Sequence, residues 1–238
     1  MPISRKVSEK LEMSSWIRKM SEEGLRMKQE HGADNVFDLS LGNPVVEPPA
    51  EVRQAIVSAA NDSAAGLHRY MPNAGLADVR EAVAKSLSAE SGVELSTDQI
   101  IMVCGAAGGL NITLKTLLDP DEEVIAFSPF FVEYLFYSDN HGGKTVVVPT
   151  HENFSLNFDA LRKALTPKTK AVIINSPNNP TGVVYSREML TELADTLRQH
   201  TSDTGNPVYL ISDDPYKKIV FDGVETPNIM ELYENSIY

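Results

Sequence analysis

The chain has 238 residues, with 21 basic and 33 acidic side chains and a formal net charge of −12. This acidic balance argues against sequence-independent nucleic-acid binding, which needs a basic surface. No segment approaches the roughly 18 apolar residues of a membrane span, and the N-terminus lacks the apolar region of a secretory signal. Cys104 is the single cysteine, so no internal disulfide can form. We therefore predict a soluble globular protein of the cytoplasm, with Cys104 buried at a strand end.

The first part of the chain predicts helices around one short strand. Apolar residues at helical spacing predict an amphipathic helix over residues 8–31, ended by Gly32, which covers its own core or contacts a partner. Residues 36–40 predict a strand, Pro48-Pro49 starts a second helix, and residues 76–91 form a third. We divide the chain into an N-terminal helix and arm (1–50) and a larger domain (51–238).

From Gln99 onward, strands and helices alternate regularly. Strands are predicted at 100–104, 123–127, 144–148, 171–175 and 207–212, and helices at 107–118, 131–140, 158–164 and 187–199. The strands are nearly continuous apolar runs, as expected when both faces of a sheet are covered. The predicted fold is α/β, a three-layer α/β/α sandwich with a mostly parallel sheet.

The loops after the strands carry the candidate chemistry, because ligands bind beyond the carboxyl ends of parallel strands. Gly105, Ala106 and Ala107 open a helix after one strand, where small residues and the helix N-terminus suit a phosphate. Tight strand–helix packing explains the same residues, and the loop fits neither a G-x-G-x-x-G turn nor a P-loop. A nucleotide-binding α/β protein is therefore a weaker alternative.

Two motifs follow apolar runs that read as buried strands. The first is Ser-Pro-Asn-Asn-Pro-Thr-Gly at 176–182, and the second is Ser-Asp-Asp-Pro-Tyr at 212–216. With the Gly105 loop and the Pro-x-aromatic-x-x-Tyr segment at 129–134, they resemble the cofactor loops of the class I/II aminotransferases. That family has fold type I and uses pyridoxal 5′-phosphate (PLP). The resemblance implies that this chain forms the PLP-binding large domain of such an enzyme.

The resemblance also implies a role for each matching residue. The backbone of Gly105, Ala106 and Ala107 would hold the PLP phosphate, and the aromatic side chain of Phe131 would lie over the ring. Asn179 and Tyr216 would bind the phenolic oxygen, while Asn178 is structural. Of the adjacent pair, the Asp-x-x-Tyr register selects Asp213 for the ring nitrogen and leaves Asp214 exposed. Gly42 would lie beside the substrate carboxylate, and Tyr70 would reach the phosphate in the partner subunit of a homodimer. The N-terminal helix would pack partly on that subunit.

The resemblance further implies parts that lie beyond Tyr238. The family's covalently bound lysine stands in a Ser-x-Ser-Lys segment after Asp-x-x-Tyr, and neither Lys217 nor Lys218 lies at that position. An arginine for the phosphate and a small domain that binds the substrate carboxylate also come later. We therefore expect a truncated large domain, with residues 234–238 beginning a further strand, and no catalysis by this chain alone. We expect no bound metal ion.

Three readings of the function stay open beside the nucleotide-binding one. The first is an aminotransferase that moves the amino group of an α-amino acid to a 2-oxo acid. The second is a PLP-dependent β-lyase or α-carbon synthase, because the same loops serve all these reactions. The third is a non-catalytic fragment that keeps the scaffold.

Overall fold

The computed structural model describes residues 3–39, 42 and 46–238, and the chain divides after Arg69 into two compact units. The first unit holds helices α1 (Arg5–His31) and α2 (Ala50–Asn61). The Ser4 side chain caps α1 by accepting from the Val7 amide at 3.2 Å. Both predicted helices are confirmed, and α2 follows Pro48-Pro49 as expected.

The structure contradicts one expectation for the first unit and bears on a second. Residues 36–39 form no strand, and Ser40 lies outside the described residues. No strand of the described chain lies beside this segment, and Asp38 instead pairs with Lys28 of α1 at 2.8 Å. Met20 and Leu25 of α1 are 52% and 57% exposed, so these apolar positions do not cover a core within the chain.

The second unit is built on a parallel sheet of five strands in the order β2-β1-β3-β4-β5. The strands are β1 (Glu123–Ser128), β2 (Lys144–Pro149), β3 (Thr169–Ile174), β4 (Tyr209–Ser212) and β5 (Ser236–Ile237). They confirm four of the predicted strands and the strand expected near the C-terminus. The chain runs from β1 to β2 and then crosses to β3 on the other side of β1. This reversal opens a crevice at the carboxyl ends of β1 and β3.

Helices cover both faces of the sheet, which confirms the three-layer α/β/α architecture. The helices of this unit are α3 (Ala77–Ser91), α4 (Gly105–Leu117), α5 (Glu133–Asn140), α6 (Phe158–Ala164) and α7 (Arg187–Thr204), of which α4 to α7 pack on the sheet. Alternate strand residues point to opposite faces. Ile125 and Val172 join the cluster that includes residues of α6 and α7, whereas Val124 and Ile173 join the one with α4 and α5.

The predicted strand at 100–104 does not form. Ile100 is buried, but Ile101, Met102 and Val103 are exposed, and the segment has no regular secondary structure and does not join the sheet. Its Met102 amide donates to the Ala74 carbonyl at 2.9 Å. An apolar run becomes a strand only beside another strand that accepts its backbone hydrogen bonds, and the described residues supply none here. The prediction that Cys104 is buried at a strand end is therefore also wrong, because Cys104 is exposed.

Gly75 allows its own loop to lie close to residues 100–103. Its φ of +97° is a backbone conformation that favours glycine, and a Cβ atom there would lie 2.7 Å from the Met102 side chain.

Strand β5 pairs with β4 and is the last strand in the described order. No helix among the described residues is long and apolar enough to cross a membrane.

Candidate active site

Three loops meet at the carboxyl edge of the sheet, because they follow the neighbouring parallel strands β1, β3 and β4. They carry the segments 129–134, 175–182 and 213–216, which hold four of the residues predicted to be functional, Phe131, Asn179, Asp213 and Tyr216. The backbone keeps β3 and β4 in register to the very end, since the Asp213 amide donates to the Ile174 carbonyl at 2.9 Å. The fold thus brings Phe131, Asn179 and Asp213 to one edge.

A buried amide, Asn175, connects two of these loops. Its Nδ2 group donates to the backbone carbonyl of Asp213, and its Oδ1 atom accepts from the backbone amide of Asn179. Asn175 is 4% exposed, so both bonds are shielded from water. We call the two segments 175–179 and 213–216 the cross-linked loops. Asn175 ends the predicted strand 171–175, and no role was predicted for it. A polar residue at the end of an apolar run can nevertheless indicate a residue that holds the following loop.

The loop that follows Asn175 closes as a tight turn. The Asn178 side chain accepts from the amide and the hydroxyl of Thr181 at 3.2 and 2.8 Å. Gly182 has a φ of +73°, and its amide donates to the Asn178 carbonyl at 2.7 Å. Asn178 is buried, which agrees with its predicted structural role, whereas its neighbour Asn179 is half-buried. The turn therefore holds one asparagine inside and presents the next one.

Asp213 is a half-buried carboxylate with a tyrosine as partner. The Tyr134 hydroxyl donates to its Oδ2 atom at 2.8 Å. Burial raises the pKa of Asp213 above the ordinary value, and the hydrogen bond from Tyr134 acts against that rise. Among the residues that the structure describes, no basic side chain lies within ion-pair distance of this carboxylate. Burying an uncompensated charge is costly, so the environment suits a cationic ligand.

The neighbouring Asp214 is not exposed, and that prediction is wrong. Its side chain is half-buried and accepts from the Ser212 hydroxyl at 2.7 Å. Burial raises its pKa to about 6, against the opposing effects of Ser212 and Lys217. The two adjacent carboxylates therefore differ in partner rather than in exposure, since Tyr134 bonds one and Ser212 the other.

The start of α4, residues 105–107, forms an exposed N-terminal turn that we call the α4 turn. Gly105 has a φ of +72°, and no atom lies within 4 Å of the position of a Cβ there. Cys104 stands at the N-cap of the helix, and its side chain makes no capping hydrogen bond. The first amides of a helix lack intrahelical acceptors and carry the positive end of the helix dipole, so they can bind an anion.

Two cavities adjoin these groups. One of about 440 Å³ is lined by Ala106 and Gly109 of α4 and by Asp213 and Asp214. The other, of about 460 Å³, is lined by Asn179 and Tyr216. The predicted residues therefore divide between two neighbouring cavities rather than sharing one, and Asn175 joins the loops that line them.

The sequence pattern of the family described as "Aminotransferase class I and II" matches residues 34–235. The chain belongs to this aminotransferase family. An aromatic-amino-acid aminotransferase 2 of Thermococcus litoralis is 36% identical over 95% of this chain and 56% of its own length. A probable aspartate/prephenate aminotransferase of Thermus aquaticus is 38% identical over 78% of this chain and 46% of its own. The chain thus spans about half the length of these curated relatives.

The fold agrees with solved aminotransferase structures. The crystal structure of an aminotransferase from Eubacterium rectale superposes with a TM-score of 0.93 at 35% identity, over 99% of this chain and 60% of the other. An aspartate aminotransferase of Thermus thermophilus with maleate gives a TM-score of 0.79 at 31% identity, over 92% and 55%. Enzymes of this family are transferases that depend on PLP.

The residues present fit that cofactor. A half-buried carboxylate without a basic partner suits a protonated pyridine nitrogen, and a helix N-terminus without a side-chain cap suits a phosphate. Phe131 is 37% exposed and lies edge-on to the Tyr134 ring, with 5.8 Å between ring centroids. An accessible aromatic ring in this loop suits the pyridine ring of the cofactor.

No contact among the described residues assigns a role to two further predicted residues of this aminotransferase chain, Tyr70 and Gly42. Tyr70 is fully exposed, and Gly42 belongs to the first unit, while Asn43 and Pro44 of its loop lie outside the described residues. The Lys217 and Lys218 amines lie 3.6 and 3.9 Å from the Glu90 carboxylate of α3. The roles given to Tyr70 and Gly42 stay predictions.

Proposed function

We propose that this chain binds pyridoxal 5′-phosphate and forms part of an aminotransferase that moves the amino group of an α-amino acid to a 2-oxo acid. The observation that carries the proposal is Asp213, a half-buried carboxylate without a basic partner among the described residues. It lines a cavity together with Ala106 of the α4 turn. Membership of the aminotransferase family supports the same reading.

Each group has a distinct task in this proposal. Asp213 holds the ring nitrogen and keeps it protonated, and the amides of residues 105–107 hold the phosphate. The Asn179 amide and the Tyr216 hydroxyl, which line one cavity, donate to the phenolic oxygen. Phe131 lies on the ring face and fixes its plane. The bound cofactor supplies an electron sink for negative charge at the substrate Cα atom.

The named relatives support α-amino acids as the substrate class, since their names include aspartate, aromatic amino acids and prephenate. Gly42 is proposed to lie beside the substrate carboxylate. A homodimer, in which Tyr70 reaches the phosphate bound by its partner, accords with the full exposure of Tyr70. A β-lyase of the same fold would use the same loops, and it would release ammonia where an aminotransferase yields a new amino acid.

Pyridoxamine 5′-phosphate is a suitable probe, because it binds without a covalent bond to lysine. We expect the chain to bind it, and Asp213→Asn to weaken binding about tenfold or more, since hydrogen bonds to charged groups contribute about 1.5–3 kcal/mol. The matched variant Asp214→Asn should change the dissociation constant less than about threefold. Isothermal titration calorimetry measures all three.

Two outcomes would count against the proposal. No binding of the probe by the unmodified chain would remove its basis. A larger loss of affinity in Asp214→Asn than in Asp213→Asn would show that Asp214, not Asp213, binds the ring nitrogen. A second experiment tests the covalent lysine. Treatment with PLP and borohydride, followed by peptide mapping, should leave no stoichiometric pyridoxyl-lysine within residues 1–238.

A further inference from the structure

Tyr134 is a buried tyrosine in the first turn of α5, and its ring is held on several sides. The side chain is 2% exposed. The Phe130 ring stacks on it at 6.3 Å between centroids, and the Phe131 ring meets it edge-on at 5.8 Å. Its amide donates to the Phe131 carbonyl at 3.1 Å. Since a tyrosine side chain has only two torsions, this packing fixes the direction of its hydroxyl.

That hydroxyl reaches from the loop after β1 to the loop after β4. It donates to Oδ2 of Asp213 at 2.8 Å, between residues 79 positions apart in the chain. Hydrogen bonds to ionised carboxylates are about twice as strong as neutral ones. The bond also occupies one carboxylate oxygen on a defined side, which leaves Oδ1 for a second donor.

The other ionisable groups around Asp213 do not duplicate this contact. Tyr137 of α5 and Asp214 are close enough to interact electrostatically with it, and Lys217 acts on Asp214. The described residues contain no hydrogen bond from Tyr137 to Asp213 and no ion pair to it. Tyr134 is thus the one side chain in the described part of the chain that donates to this carboxylate.

We propose that Tyr134 is a positioning residue for Asp213: it orients the carboxylate and keeps it ionised, so that Oδ1 meets the protonated ring nitrogen. The inference rests on the proposed function for the identity of that ligand. The Tyr134–Asp213 pair itself is a property of the chain without any ligand. Its consequences can therefore be measured separately from cofactor binding.

The test compares Tyr134→Phe with Tyr137→Phe, which removes a neighbouring hydroxyl from the same helix. The Asp213 carboxyl is titrated by carbon-13 NMR in the ligand-free chain. Loss of the hydrogen bond should raise the pKa of Asp213 by about one unit or more in Tyr134→Phe, and Tyr137→Phe should shift it by only a few tenths. An unchanged pKa in Tyr134→Phe, or an equal shift in both variants, would overturn the inference.

A second measurement covers the case in which Tyr134→Phe does not fold. In Asp213→Asn, Tyr134 loses its charged acceptor, so the pKa of its phenol should fall from the raised value that burial and Asp213 give it. No fall would overturn the inference.

The ligand arm uses pyridoxamine 5′-phosphate. On acidification, Tyr134→Phe should lose binding at a higher pH than the unmodified chain, by the same interval as the shift in the pKa of Asp213. A binding profile that does not move while the pKa of Asp213 does would contradict the role of Tyr134 in positioning. If the unmodified chain does not bind the probe at all, the proposed function fails, while the NMR result still decides the Tyr134–Asp213 pair.

Discussion

The cross-linked loops and the α4 turn prepare their parts of the site in opposite ways. Asn175 bonds the backbone of both loops from a buried position, and Tyr134 adds a bond to Asp213. The α4 turn is exposed and has no side-chain cap, and residues 100–103 before it do not join the sheet. Side chains thus fix the region proposed for the ring, whereas backbone amides alone form the region proposed for the phosphate. The first should be sensitive to side-chain changes and the second to backbone changes.

The largest effect is expected from Asn175→Ala, which removes both hydrogen bonds that the Asn175 side chain makes between the loops. Leaving buried polar groups unsatisfied costs about 1–3 kcal/mol each, so the free energy of unfolding should fall by about 2–4 kcal/mol. Urea denaturation monitored by circular dichroism measures the change.

The matched control is Asn111→Ala in α4, where the half-buried Asn111 side chain donates to the Ala107 carbonyl at 2.9 Å and accepts from Asn140 of α5 at 3.2 Å. Its loss should cost about 0.5–1 kcal/mol. Equal losses in the two variants would show that the cross-linked loops are no more dependent on side chains than the α4 turn.

A smaller effect is expected from Asp214→Asn. The folded pKa of about 6 lies above the ordinary 3.8, so the stability due to the protonated form is present below pH 4 and is lost as the pH rises through 6. Asparagine imitates the protonated form and can still accept from Ser212. The variant should therefore be more stable than the unmodified chain at pH 7.5, by at most about 3 kcal/mol.

The difference between the two proteins measures the free-energy cost of burying the ionised Asp214 carboxylate in the cross-linked loops. Thermal unfolding between pH 4 and pH 8 follows it, and the two proteins should converge near pH 4. A difference that is constant with pH, or a less stable variant at pH 7.5, would mean that Asp214 is not destabilised by burial.

The smallest effects concern the α4 turn. Gly105→Ala places a Cβ at a φ of +72°, so it should lower the free energy of unfolding by about 1 kcal/mol although the space around it is open. Gly108→Ala lies within α4, where alanine is favoured over glycine by up to about 1 kcal/mol. Its Cβ would lie 3.9 Å from Cys104, which is ordinary contact. Chemical denaturation should show shifts of opposite sign, and shifts of the same sign would contradict a backbone-defined turn.

How far the sequence predicts the fold is clear from two apolar runs. Residues 208–211 and 100–103 are equally apolar, and both were predicted as strands. The first overlaps β4, which lies between β3 and β5, while the second joins no strand and is exposed at residues 101–103. Periodicity and composition describe a segment by itself, and a strand depends on a neighbour that the pattern does not name.

The candidate site divides in the same way. The motifs predict roles for Asp213 and Asn179, which follow β4 and β3, and for the α4 turn, although the strand predicted before that turn does not form. They did not predict that Asp214 is half-buried, nor that Asn175 and Tyr134 hold the site, since these depend on which loops meet across the sheet. Tyr134 belongs to the segment 129–134, for which only Phe131 was given a predicted role.

The central claim is that the ionised Asp213 carboxylate binds the ring nitrogen of the cofactor and keeps it protonated. Nitrogen-15 NMR of pyridoxamine 5′-phosphate labelled at that atom, titrated while bound to the chain, tests it directly. The pKa of the ring nitrogen should be higher in the complex than in free solution, and Asp213→Asn should abolish the rise while Asp214→Asn preserves it. A bound ring nitrogen with the same or a lower pKa than the free ligand, or a rise that survives Asp213→Asn, would contradict the account.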